Sequence, residues 1–466
     1  MKRLIVFLCV VSVVLCVACA PAAPELFEAD APKLNDAASQ ASQHGVPDSV
    51  TDKAPVLPLV LLNYESKTQI SANSNAAYFI RPLPEELQTG DGTSSFAAFV
   101  LDFDTAKIRP LCDADDCLHL SDGCEAWLPS DAAYLSLVAA EDRLFWVMPY
   151  LLDTADFSGA AGLEGKCAHI DVSELDGSGK TRIFTAQPER RIDENALFYD
   201  GERLSFVESS GGDSLRNNAA LVTVDLESGD SKSRELLTGA NAEGFLDGYF
   251  KVVGVYENEP LFLQMTNGEL IKSVEGADSY TLNYHVFSID TQSHEKTRLL
   301  DYLLEPGKGV GLYESAWTGT TFIEVNESTR EVIEIDLKTG TPRAIAVIPD
   351  EFGGLQSRHW YRVWDSKAQI VLYPLLSSCW LDLDAGALTE FGLRYSDTNG
   401  ALRPAEIVAD AGGEYLALLT SRRGAGGDSA TDFHYVYGMI DKEDYWKGLR
   451  RFREVDINHL NGVFGL

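Results

Sequence analysis

The stretch LVTVDLESGDSKSRELL, residues 221–237, decides the fold. An apolar run from Leu221 to Val224 ends in an aspartate. Asp225-Leu-Glu-Ser-Gly229 then has the composition of a tight turn: the Asp carboxylate accepts from turn amides, and Gly supplies positive φ. A second short strand follows. The unit is an antiparallel hairpin.

Working outward, the same unit recurs along the chain. It is read in FVLDFDTAKIRPL (99–111), AHIDVSELDGSGKTRIF (168–184), HVFSIDTQSHEKTRLL (285–300), VIEIDLKTGTPRAIAVI (332–348), WLDLDAGALTEFGL (380–393) and, degenerate, YVYGMIDKEDYWKG (435–448). The anchoring aspartates are expected at Asp104, Asp171, Asp225, Asp290, Asp336, Asp384 and Asp441, 46 to 67 residues apart. Several hairpins are preceded by another apolar pair, as in NALFYDGERLSFVES (195–209). Four short strands per repeat at this period predict an all-β chain, a single β-propeller of about seven four-stranded blades, with six or eight as alternatives. A β-sandwich array is the competing fold, and it requires linkers that are not seen after residue 57. The best helix candidate is KEDYWKGLRR, 442–451.

The N-terminus reads as an export signal. Lys2 and Arg3 precede an apolar stretch of fourteen residues, Leu4 to Val17, shorter than the roughly 20 a membrane-spanning helix needs. Val17-Ala18-Cys19 has the form of a lipobox, which makes 1–18 a signal peptide and Cys19 the lipidated first residue. Cys16 stands where a lipobox usually has Leu, so cleavage by an ordinary signal peptidase is the alternative. Residues 19–56, rich in Ala, Pro, Ser and Asp, lack the apolar surface to fold and read as a tether. The propeller is expected over 57–466. The expected location is the cell membrane, lipid-anchored on its outer side.

The chain has 38 basic and 71 acidic residues, a formal charge of −33. That balance argues against nucleic acid as a partner, which needs a basic footprint. It suits a dispersed, exported surface.

Five of the eight cysteines fall beyond the leader. Three lie in LCDADDCLHLSDGCEAW (111–127), where Cys112, Cys117, His119 and Cys124 form a complete ligand set for a structural zinc. The competing reading is a disulfide among these residues and Cys167, since exported thiols oxidise. A catalytic thiol would need an orienting third group beside Cys117 and His119, and none is evident. Cys379 reads as a buried small residue.

The lipobox at Cys19, the aspartate hairpins and the run Leu111, Cys112, Cys117, His119, Cys124, Ala126 together resemble a family of predicted β-propeller lipoproteins from anaerobic Gram-positive bacteria. The closing segment DYWKGLRRFREVDI (444–457) adds to the resemblance, which covers nearly the whole mature chain. The hairpins alone also fit TolB-like propellers. The resemblance implies a fold and a location but no reaction.

Nothing else carries specific chemistry. GKGVG (307–311) and RRGAGG (422–427) do not bridge a strand and a long helix, so no phosphate loop is present. Asp113, Asp115 and Asp116, or Asp382 and Asp384, match no calcium loop. Trp317, Trp380 and Trp446 suit core packing. Trp360 and Trp364 share a strand face, where they can stack a sugar if that face lines the channel. The expected function is a binding or protein-interaction module with an unknown protein or small-molecule ligand. The alternatives are an envelope enzyme acting on carbohydrate or peptide through the central funnel, and a scaffold subunit of an envelope complex.

Overall fold

The computed structural model describes residues 58–62, 70–83, 95–112, 114, 117, 123–128, 135–149, 167–188, 190–210, 219–236, 249–271, 279–304, 315–326, 329–350, 359–372, 377–396, 402–423, 433–457 and 460. All fall within Pro55–Leu466, one of two units into which the chain divides. The expected signal peptide, Cys19 and the tether to residue 56 lie outside the described residues. No described helix is long and apolar enough to cross a membrane.

Seven four-stranded antiparallel sheets follow one another in chain order. Blade I holds strands Ile70–Ala72, Ala76–Pro82, Phe96–Asp102 and Lys107–Pro110. Blades II to VII span 136–185, 190–235, 249–304, 316–347, 359–390 and 406–455. A two-stranded hairpin, Arg394–Ser396 with Leu402–Pro404, separates blades VI and VII. The seven-bladed propeller expected from the hairpins is the fold observed.

Seven apolar cores fill the seams between adjacent blades, and they complete the ring. Ala76 and Tyr78 meet Leu144 and Trp146 at seam I/II. Phe198 and Leu221 meet Phe262 and Phe287 at seam III/IV. Phe79 and Phe99 of blade I meet Leu416, Tyr437 and Met439 of blade VII at the seam that closes the circle. Blades I and VII are each built from contiguous chain. Among the described residues no strand is exchanged between the first and last blades, and the closing seam is filled by side-chain packing.

Within a blade the first strand faces the channel and the fourth faces solvent. The fourth strand of blade III, Ser231–Glu235, is exposed at every position, while the first strands of neighbouring blades abut. One strand is added inside this arrangement. Val60–Leu62 pairs antiparallel with the first strand of blade III, Val60 opposite Tyr199 and Leu62 opposite Leu197. Leu59 is buried in seam III/IV and Leu62 in seam II/III. The Leu59 amide also donates to Asn258 Oδ1 at 2.6 Å.

The turns confirm the aspartate chemistry and correct its register. Asp225 Oδ1 accepts from the amides of Glu227 and Ser228 at 3.1 and 2.8 Å. The Gly229 amide, four residues on, bonds the Asp225 carbonyl at 2.9 Å with φ +73°. Asp290 and Asp336 repeat the pattern. Backbone amides hold all three carboxyls below the usual range. In blades I and VI the anchors are Asp102 and Asp382, not Asp104 and Asp384. The reason is the left-handed residue four positions later, Ala106 or Gly386. In blade II Asp171 is mid-strand and pairs with Arg182, while Asp176 accepts from Ser178 in the turn. Asp441 caps a helix that runs only over Lys442–Trp446, with Gly448 at φ +71° just beyond it.

Candidate functional site

The cysteine segment does not leave blade I as a connector; it interrupts that blade's outer strand. Lys107–Pro110 pairs with one half of Phe96–Asp102. Trp127–Leu128 pairs with the other half, at Ala97 and Phe96. The intervening loop is tied at both ends to one residue: Leu111 N donates to Ala98 O at 2.9 Å, and Ala98 N donates to Ala126 O at 2.8 Å.

This excursion gathers three thiols. The Sγ atoms of Cys112, Cys117 and Cys124 all lie within 4.8 Å of one another. Cys112 and Cys124 are buried in the core of seam I/II, and Cys117 is half-buried at its edge. Burial, reinforced by Cys117, pushes the Cys124 thiol up to about 12. Burial also raises Cys112. Without a metal these two thiols keep their protons at neutral pH, which suits packing residues and not nucleophiles; a bound metal would have to displace those protons, since the thiolate is the ligand form. Such a set can hold a metal ion. Ligands about 2.3 Å from a tetrahedral zinc stand about 3.8 Å apart, so a modest contraction brings the sulfurs into place. His119, the expected fourth ligand, lies outside the described residues, as do Asp113, Asp115 and Asp116.

Cys167 stands apart from this group, its carbonyl 2.9 Å from His169 Nδ1. No disulfide joins the five described cysteines. Cys379 is fully buried in seam V/VI, as its surroundings in the sequence suggested, and burial pushes it up to about 12.

The loop is wedged against blade II. A Cβ built on Gly177 would stand 3.3 Å from the side chain and carbonyl of Leu111, and Gly177 has φ +87°. Only glycine lets the blade II turn sit on Leu111 at this distance. The three cysteines sit in and beside the core of the seam between the first two blades.

The aromatics are core residues. Trp317 packs on Tyr256 and Phe322, and Trp380 on Trp446. Trp364 lies 6.2 Å from Tyr415 in seam VI/VII, so it does not join Trp360 as a sugar platform in the channel. The Trp360 side chain lies outside the described residues.

A groove of about 540 Å³ opens between blades II and III, a feature the sequence reading missed. Phe184 forms one wall, and Ser231, Ser233 and Glu235 of the outer strand form another. Arg190 and Glu208 meet at 3.1 Å in its lining. Burial raises the Glu208 carboxyl above the usual range despite the opposing pull of Arg190. These residues form no contiguous motif, so local sequence held no signal for them.

No family model matches the sequence, and no curated protein matches it. Solved structures do. The β-propeller domain of the trilobed protease from Pyrococcus furiosus is 9% identical with a TM-score of 0.42, over 83% of this chain and 94% of that one. A putative 6-phosphogluconolactonase from Bacteroides fragilis is 12% identical with a TM-score of 0.37, over 88% and 96%. Pyrococcus horikoshii acylaminoacyl peptidase is 10% identical with a TM-score of 0.40, over 88% of this chain and 53% of that one. The likeness is one of fold.

Proposed function

We propose that this protein is a lipid-anchored, extracytoplasmic β-propeller that works as a binding module for a small-molecule or protein ligand. The observation that carries the reading is the groove between blades II and III. Its volume is that of a small-ligand site, and it combines an apolar wall with a few fixed polar groups. The test fills it. Ser233→Trp projects into the groove from an exposed strand and leaves the seam core intact. A ligand found by thermal-shift screening of glycans, peptides and metabolites should lose its shift in this variant. A shift that survives the filling refutes the site.

The anchor rests on the sequence alone: a charged n-region, an apolar stretch and Cys19 after small residues. Cys19→Ala should release the protein from membranes, and continued retention overturns the anchor. Membership of the resembled lipoprotein family stands or falls with this anchor and the cysteine run.

The thiol cluster is proposed as a structural zinc site, with Cys112, Cys117 and Cys124 as three ligands and His119 as the fourth. A bound zinc would cross-link the loop and hold seam I/II. One zinc per chain, with every thiol titratable after denaturation, supports this. Absence of metal together with two fewer thiols establishes a disulfide instead, within the cluster or to Cys167.

A further inference from the structure

A recurrence on the outer strands has no part in the chemistry above. Lys107-Ile-Arg109, Lys180-Thr-Arg182, Lys232-Ser-Arg234 and Lys296-Thr-Arg298 start within one residue of the beginning of the fourth strands of blades I to IV. Residues two apart on a strand share a face. Lysine on an exposed edge is a common guard against edge-to-edge pairing. A guard needs only charge on the edge, whereas these side chains converge.

At seam III/IV the register sets their direction. Lys232 and Arg234 stand opposite Thr223 and Leu221. Those two residues face blade IV: Leu221 lies in the seam core, and Thr223 Oγ1 is 3.1 Å from His294 Nε2. From blade IV, Lys296 and Arg298 stand opposite Ile289 and Phe287, which lie in the same core. Four cations from two blades thus meet along one rim.

The two basic seams differ in how they are neutralised. At seam I/II, Lys180 sits 3.4 Å from the Trp146 ring centroid, Arg182 pairs with Asp171, and Arg109 acts on Asp102 and Asp176. At seam III/IV, Lys296 lies 3.6 Å from the Phe287 ring centroid, and Arg298 shares Asp301 with His285. Among the described residues, Lys232 and Arg234 form no ion pair. After burial, the largest effects lowering Lys296 are Arg234 and Arg298, and Lys232 and Arg234 act likewise on His294. A chain with 71 acidic residues gathers like charges here, and among the described residues Asp301 is the one direct counter-charge. Such a rim is complementary to an anion with several negative centres.

We propose that the rim of seam III/IV binds a phosphate-bearing polyanion, its oxygens held by Lys232, Arg234, Lys296 and Arg298. This site shares Lys232 with the lining of the groove, but Arg234, Lys296 and Arg298 lie outside that lining, so Arg234→Gln alone tests the rim without touching the groove. Either can fail alone.

The test is calorimetry on the full-length protein in neutral detergent, with inorganic tripolyphosphate as the probe. Saturable binding is expected. Lys232→Gln/Arg234→Gln should weaken it about tenfold or more, and Lys107→Gln/Arg109→Gln at the neutralised seam should leave it within about twofold. Both pairs are outer-strand substitutions, so the second controls for net charge and folding. Competition by short-chain phosphatidylglycerol below its micelle concentration, and not by inorganic phosphate, supports the site with a lipid headgroup as the source. Competition by inorganic phosphate supports it with a free anion as the source. No saturable binding, or equal loss in the control pair, overturns the proposal.

Discussion

Ring closure without an exchanged strand among the described residues makes one seam different from the other six. Phe79 is fully buried and stacks on Phe99 with ring centroids 5.8 Å apart, in the seam that joins blade I to blade VII. Phe262 is equally buried in seam III/IV, beside Phe198 and Phe287. Replacing either by Ala removes a full aromatic side chain and should cost about 3–5 kcal/mol. At seam III/IV the blades remain joined by chain and by the flanking seams, so that cost spreads over the whole ring. At the closing seam the neighbours in space are the two ends of the chain. The loss falls on local opening, and about 3–5 kcal/mol raises an opening constant by two to nearly four decades. Hydrogen exchange resolves this. In Phe79→Ala, amides of Ile70–Ala72 and Glu406–Ala411 should exchange far faster while blades III to V keep their protection. In Phe262→Ala, exchange should rise without that focus on the two ends. Matching exchange maps for the two variants would refute closure by packing.

Further outcomes follow from the same structure. Gly177→Ala meets both a left-handed backbone and the Leu111 side chain and carbonyl at 3.3 Å, so melting should fall by an amount equivalent to about 1–2 kcal/mol; an unchanged melting temperature sinks the wedge described for the loop. Asp225, Asp290 and Asp336 have depressed folded-state pKa values, so their stabilisation is present above the ordinary aspartate value of 3.8 and is lost as pH falls through the folded values. Stability followed by chemical denaturation should therefore drop steeply below about pH 4, and Asp225→Ala should flatten part of that drop. Cys379, pushed up to about 12 by burial, should resist a thiol reagent at pH 8 in the native protein and react on unfolding; fast native labelling would show that seam V/VI is open.

The repeat was legible because blades I, III, IV, V and VI use an aspartate in the same way, as a local hydrogen-bond acceptor in a turn. Its register was less so. In WLDLDAGALTEF both Asp382 and Asp384 precede a glycine, and only the four-residue spacing to Gly386 selects Asp382. The three thiols were visible as a ligand set, since their spacing is short. Their place in the outer strand of blade I was not, because it depends on Trp127–Leu128 rejoining a strand some thirty residues earlier. Val60–Leu62 and the groove were equally hidden: the partners lie more than a hundred residues away in one case and on five different strands in the other. The Lys-x-Arg recurrence was in plain view, yet its meaning depended on which faces the blades turn toward each other.

The strand Val60–Leu62 also has a mechanical consequence. Any tension arriving from the N-terminal chain reaches the ring first through three residue pairs and the Leu59–Asn258 hydrogen bond. Leu59 and Leu62 dip into two seam cores, and the rest of those cores lies behind that short ladder. A load too small to deform a blade can still peel these few contacts, so the strand would act as a fuse that yields before the propeller does.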